Sequence, residues 1–225
     1  QTKNPLANQK LRNAIGYSIG RKKLVKYLRN GIGFPAENGF IPLGMPGFEY
    51  YKIDGYQFDL HKAKSLLKDI DGLNNIRITL SATEQYKTLC EYLQNQIQQL
   101  GFTVDIAIYT SSSLRQRVAN FEACFYRKSW VADFPEPVNY FQLFYSANFF
   151  PENGYNYYRF HNNYYDSLYV EALAEQDEFA RYELYKQMQQ IIHDNAPVIP
   201  LFYAQTIRFY RKNIVGVGSN SMNML

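Results

Sequence analysis

Two alternating apolar runs on either side of one amphipathic segment confine the fold of this 225-residue chain more tightly than any other feature. Ile76, Ile78 and Leu80 recur with the period of two that a strand requires, and Val104, Ile106 and Ile108 do so again within residues 102–109. Between them Leu89, Leu93, Ile97 and Leu100 keep the spacing of one helix face, and Gly101 stops that helix. This is a β-α-β unit of ordinary length. Residues 111–113 can cap a further helix carrying Leu114 and Val118, and residues 121–126 read as a third strand. Two crossovers in succession predict an α/β fold with an open, mainly parallel sheet flanked by helices.

The flanking segments fit around that unit. Asn8 is placed to cap a helix bearing Leu11, Ala14, Ile15 and Ile19, and a second helix over residues 21–28 stops at Asn30-Gly31. In residues 31–55 the punctuation of Gly33, Pro35, Gly39, Pro42, Gly44, Pro46 and Gly47 leaves no periodicity, which predicts an ordered loop or flap. Asp59 can cap a helix through Ala63, Leu66 and Leu67 that ends near Asp71-Gly72. After the third strand comes Trp130-Val131-Ala132-Asp133-Phe134-Pro135-Glu136-Pro137, where two prolines forbid regular structure. In open α/β sheets ligands bind beyond the carboxyl ends of the strands, so this loop is the natural place to look for a site.

Downstream, the sequence predicts a short helix at 140–145 and an aromatic loop through Phe149, Phe150, Tyr155, Tyr157 and Tyr158. Helices follow at 164–174 and 177–195, the second with Phe179, Tyr182, Met188, Ile191 and Ile192 facing inward. Ala196-Pro197-Val198-Ile199-Pro200 then breaks the helix and starts a strand through Phe202, with another reaching Tyr210 after a turn near Gln205. There is no internal repeat or linker, so residues 1–225 are expected to form one unit.

Composition narrows the function. The chain is 46% hydrophobic and 20% charged, an ordinary globular profile. Its 24 basic and 20 acidic residues are interspersed, with no basic run longer than Arg21-Lys22-Lys23, which argues against a nucleic-acid partner. No apolar stretch approaches the ~20 residues of a membrane span, and the opening residues carry no signal-peptide core. Cys90 and Cys124 are expected to be buried free thiols. His61, His161 and His193 are scattered outside any metal-ligand spacing, and no nucleophile elbow, phosphate loop or dinucleotide fingerprint occurs. Asp133 and Glu136 lie on either side of Pro135, a poor start for an acid–base pair. No enzyme activity, cofactor or metal is expected.

The order of the segments carries a resemblance. Leu11-Arg12-Asn13-Ala14-Ile15 with Arg21, then Asp59-Leu60-His61-Lys62-Ala63-Lys64-Ser65-Leu66-Leu67, then the glutamine-to-valine step over residues 96–104, then Trp130-x-x-Asp133, and finally the Tyr185 to Pro200 exit follow one another as in a known family. Together they resemble the C-terminal lobe of the extracellular solute-binding proteins of the oligopeptide, dipeptide and nickel class. The resemblance implies a periplasmic binding protein-like (type II) lobe whose N-terminal companion is absent. It also implies a periplasmic or lipid-anchored extracellular parent that passes peptide or a related amine-bearing solute to an ABC transporter permease. The alternative use of the same architecture is as the ligand-sensing domain of a transcription regulator. Two features depart from the family pattern: the acidic residue that often precedes the arginine of the opening segment is Gly20 here, and residues 81–85 offer no basic partner for a dipeptide carboxylate.

By this resemblance Asp133 receives the ligand's α-ammonium group, Trp130 forms an apolar wall, and Arg127 stands near a short ligand's carboxylate. Asn139 and Tyr140 follow closely enough to line the same crevice, and the aromatic loop at 149–158 can close over it. Read from the residues alone, Asp133 serves equally as the turn residue before Pro135, Trp130 as core, and Arg127 as a charge at a strand end.

Overall fold

The computed structural model describes residues 4–218. Helix α1 (Gln9–Ser18) starts where Asn8 accepts hydrogen bonds from the Lys10 and Leu11 amides, and α2 (Arg21–Leu28) follows after a two-residue break. The glycine- and proline-rich stretch holds only a two-residue strand β1 (Phe34–Pro35) and a single helical turn α3 (Phe48–Tyr51). Asp59 caps α4 (Leu60–Leu66) by accepting from the Lys62 amide. The predicted unit is then complete: β2 (Arg77–Thr83), α5 (Lys87–Ile97) and β3 (Thr103–Tyr109), with the strands parallel and Ile78 beside Val104. Helices α6 (Ser111–Ala119), α7 (Val138–Phe141), α8 (Asn163–Ala174) and α9 (Glu178–Asn195) lead to β4 (Phe202–Tyr203), which pairs antiparallel with β1.

Several expectations need correction. The third strand shrinks to one parallel bridge between Ser81 and Tyr126, held by Ser81 N donating to Phe125 O (2.8 Å) and Arg127 N donating to Ser81 O (2.9 Å). Phe121 has a φ of 61° and stands exposed, so the chain leaves α6 through a left-handed turn that extended pairing cannot tolerate. Thr110, rather than residues 111–113, caps α6 through its own side chain. Helix α4 ends at Leu66, before Asp71-Gly72, and the helix expected at 140–145 starts earlier and tightens into a 3₁₀ turn over Gln142–Phe144. No strand forms over 204–210. Phe179 points outward against Tyr50, at 59% exposure, because the first turn of α9 overhangs the core. Cys90 is buried as expected, but Cys124, lacking the predicted strand, is exposed; both are free thiols.

The interior divides into two clusters. Around β2 and β3 it is aliphatic: Leu11, Ile15 and Leu24 from the opening helices meet Ile78, Leu80, Leu93, Ile97 and Val104. Around α8 and α9 it is aromatic: Tyr51, Phe141, Phe144, Tyr165, Tyr182 and Tyr185 close over Met188 and Ile192. Arginines fasten the opening helices to the segment after α9. Arg12 donates to Asn195 O (2.6 Å) and Ala196 O (3.1 Å), and the fully buried Arg21 donates to Pro200 O (2.7 Å), Gly16 O (2.9 Å) and Tyr56 O (3.1 Å). The Tyr56 ring lies 5.4 Å from the Arg21 guanidinium carbon, Nη2 has no hydrogen-bond partner among the described residues, and burial, partly opposed by Tyr56 and Glu37, lowers the Arg21 pKa to about 10.

The order of the 31–55 stretch comes from α9. The buried Gln189 accepts from the Phe40 (2.7 Å) and Ile41 (3.0 Å) amides and donates to Tyr51 O (2.9 Å). Gly39 allows this: its φ is 108°, and a Cβ there would sit 2.3 Å from the Gln189 oxygen.

Candidate functional site

The loop after the Ser81–Tyr126 bridge is irregular, as its prolines require, yet it is tied down at three points. Ala132 is buried in the aromatic core. Glu136 accepts a 2.6 Å hydrogen bond from the Tyr185 hydroxyl on α9, with Arg181 Nε 4.0 Å away. Trp130 donates from Nε1 to Asn139 Oδ1 at 2.9 Å, and the Asn139 amide reaches back to Asp133 Oδ2 at 3.4 Å. Asn139 is therefore a clip between the two residues that define the loop.

An open cavity of about 990 Å³ lies beside this loop, between the aliphatic and aromatic cores. The first contributes Leu80 and Leu93, the second Phe40, Met45 and Tyr140, and the exit segment from Asn195 to Ala204 runs along it. A space of this size, with both apolar walls and polar groups, suits a small organic ligand. Of the five expected site residues, Trp130, Arg127 and Tyr140 line the cavity. Asn139 is buried and does not reach it. Asp133 stands exposed, accepts from the Asn139 amide, and is also absent from the lining. From the aromatic loop, Tyr157 and Tyr158 line the space and Tyr155 packs against Trp130 with ring centroids 5.1 Å apart, while Phe149 and Phe150 stay outside the lining.

The electrostatics are set by arginine and tyrosine. The Arg127 guanidinium lies 3.3 Å from the centre of the Tyr86 ring and contacts Ser129 Oγ at 3.3 Å. Burial lowers its pKa, partly opposed by Tyr86. The Lys128 ammonium sits 3.6 Å from the centre of the Tyr157 ring, and burial likewise lowers its pKa, helped by Arg115. Burial pushes the Tyr140 hydroxyl up, against a hydrogen bond from the Ala132 backbone. Among the described residues no group of three or more His, Cys, Asp or Glu could hold a metal ion.

Residues 1–151 match the family model for bacterial extracellular solute-binding proteins, family 5 Middle. The chain belongs to that family. It is 28% identical over 221 residues to the dipeptide-binding protein of Escherichia coli K12, covering 95% of this chain and 41% of that protein. It is 27% identical over 226 residues to the glutathione-binding protein GsiB of the same strain, covering 96% and 43%. The fold superposes with a TM-score of 0.80, at 27% identity, on the Helicobacter pylori ABC transporter-associated periplasmic binding protein DppA in complex with peptide STSA, covering 90% of this chain and 40% of that one. The chain thus has the type II periplasmic binding protein fold and spans less than half the length of these relatives. Family members are extracellular solute-binding proteins, and among the described residues no helix is long and apolar enough to cross a membrane.

In this family 5 chain the residues that sequence reasoning passed over are those supporting the named ones. Tyr86 beneath Arg127 and Tyr185 behind Glu136 are brought in by the fold from distant segments, and Lys128 rests on Tyr157 of the expected aromatic loop. Local spacing carries no trace of them. The Tyr185-to-Pro200 exit motif was the one signal that could have pointed to the Tyr185 and Gln189 anchors.

Proposed function

We propose that residues 1–225 form one lobe of the solute-binding component of an ABC import system. In this reading a peptide, or a related solute with an amino group, is held between this lobe and a second one and handed to a membrane permease outside the cytoplasmic membrane. The observation that carries the reading is the cavity of about 990 Å³ bordered by the anchored Trp130–Pro137 loop. Relatives named for dipeptide and glutathione binding, and a structural neighbour bound to a peptide, support it. Trp130 provides the wall, Arg127 and Tyr140 polar contacts, and Asp133 the carboxylate for the ligand's ammonium group. Asn139 acts behind them by holding Trp130 and Asp133 in register. Closure of two lobes on the ligand follows from its tighter binding to the closed state.

Calorimetry on the whole protein tests the Asp133 role. Replacing Asp133 by Ala should weaken a peptide with a free amino terminus roughly tenfold, the loss of one charge-assisted hydrogen bond. The N-acetylated peptide should bind wild type and variant alike. Equal affinity of the free peptide for both proteins removes Asp133 from the site.

A further inference from the structure

We infer that this cavity selects ligands carrying more negative than positive charge, acidic peptides in particular. The inference rests on the peptide-binding reading above and concerns what lies beyond the ligand's amino end. Among the described residues lining the cavity there is no Asp or Glu, whereas Arg12, Arg29, Arg127, Lys128 and Arg159 all line it. Two of these cations are committed elsewhere. Arg12 is committed to the backbone carbonyls of Leu6, Ala7, Asn195 and Ala196, and Arg159 pairs with Glu152. The other three, Arg29, Arg127 and Lys128, form no ion pair with a carboxylate among the described residues.

Each of the three lies over an aromatic face: Phe202 at 4.1 Å from Arg29, Tyr86 at 3.3 Å from Arg127 and Tyr157 at 3.6 Å from Lys128. Arg29 spends its Nε donor on Ile32 O (3.0 Å) and Arg127 one Nη1 donor on Ser129 Oγ (3.3 Å), which leaves the rest of each guanidinium edge. A ring face steadies a cation without using up its N–H donors, so an arginine stacked this way keeps donors at its edge for a ligand carboxylate. Arg29 lies close enough to Arg127 to disfavour its charge, and Arg115 does the same to Lys128. Like charges gathered beside partly buried walls are costly, and an anionic ligand relieves that cost where a neutral or cationic one does not. Asp133, outside the lining, leaves one place for an ammonium group at the edge of an otherwise cationic space.

Three peptides sharing the same amino-terminal residue, Ala-Ala-Ala, Ala-Glu-Glu and Ala-Lys-Lys, separate this inference from the reading beneath it when titrated calorimetrically into the whole protein. At about 20 mM salt Ala-Glu-Glu should bind about tenfold or more tighter than Ala-Ala-Ala, and Ala-Lys-Lys weaker than both. Raising salt to about 500 mM should shrink the glutamyl advantage severalfold, since screening acts on charge and not on apolar contact. The double variant Arg29→Gln, Lys128→Gln should move the affinity ratio of Ala-Glu-Glu to Ala-Ala-Ala toward one. Measurable binding of Ala-Ala-Ala with no gain for Ala-Glu-Glu, or a wild-type ratio unaffected by salt, overturns the inference and leaves peptide binding standing. Failure of all three peptides to bind overturns both.

Discussion

The half of the molecule around β2 and β3 and the half around α8 and α9 reach the same end, a dry interior, by different chemistry. In the first, Leu80, Leu93, Ile97 and Val104 offer methyl groups and nothing else, and the strand and helix ladders satisfy the backbone. In the second, the segments packed on α8 and α9 are short turns and loops, and tyrosine hydroxyls donate to their carbonyls: Tyr165 to Phe141 O at 2.8 Å and Tyr51 to Pro46 O at 2.9 Å. Tyr203, just outside the cluster, donates to Gly39 O at 2.9 Å in the same way. A chain rich in tyrosine can therefore bury irregular loops that an aliphatic core could not accommodate, because each ring brings apolar area and a donor together. The Trp130–Pro137 loop belongs to this second half, and its Glu136 is one more acceptor met by a tyrosine.

Substitutions can break or sharpen that contrast. The largest effect should come from Phe144→Ala. This ring is fully buried among Phe40, Tyr158, Phe160 and Tyr165, and its loss should cost about 3–5 kcal/mol in urea unfolding, against about 2–4 kcal/mol for Leu80→Ala. A Phe144→Ala loss smaller than that of Leu80→Ala would show that the ring cluster is loosely packed.

Next in size is the hydroxyl itself. Tyr165→Phe takes one buried donor from the Phe141 carbonyl and should cost about 1 kcal/mol, although it removes no apolar atom. Ile78→Val, its counterpart in the aliphatic half, should cost about 0.5–1.5 kcal/mol. If Tyr165→Phe proved neutral, the hydroxyls would be bystanders and the contrast would reduce to size.

The smallest effect lies at the join between the halves. His193 packs against the rings of Tyr56 and Tyr17, and burial holds its pKa below the ordinary value of 6.5, with Lys62 and Arg21 adding to the shift and Asp194 opposing it. The folded state therefore takes up the His193 proton less readily than the unfolded chain. Its contribution is complete above about pH 6.5 and is lost as pH falls below that. His193→Gln should flatten the dependence of stability on pH between about 6.5 and 5. An unchanged slope would place the acid sensitivity elsewhere.

The contrast also explains what could be read from the sequence. The aliphatic half is regular, so period-two and helical spacings located β2, α5 and β3, and Asn8 and Asp59 marked helix starts by a local side-chain bond. In the aromatic half α8 and α9 were read to within a residue of their bounds, but the contacts that join them to the loops come from distant segments and left no local trace. At the edge of the aliphatic half, residues 121–126 looked like a strand because a short apolar run with aromatics has no period to contradict it. The left-handed Phe121 and the single bridge at Ser81 belong to tertiary structure. The site was legible to the same degree. Trp130 and Arg127, named by resemblance, and Tyr140, named for its nearness to their loop, line the cavity, whereas Asn139 stands behind it and Asp133 lies outside the lining. Nothing near Arg127 in sequence announces Tyr86.

The claim on which the rest depends is that the ligand lies along the junction of the two halves, against the Trp130 loop on one side and the exit segment on the other. Hydrogen–deuterium exchange of the whole protein, with and without a saturating short peptide, measures this directly. Binding should slow exchange in two separated stretches, residues 126–133 and 196–204, while the backbone of α8, which contributes nothing to the cavity lining, keeps its rate. Protection confined to other segments, with these two stretches unchanged in the presence of bound peptide, would contradict the account.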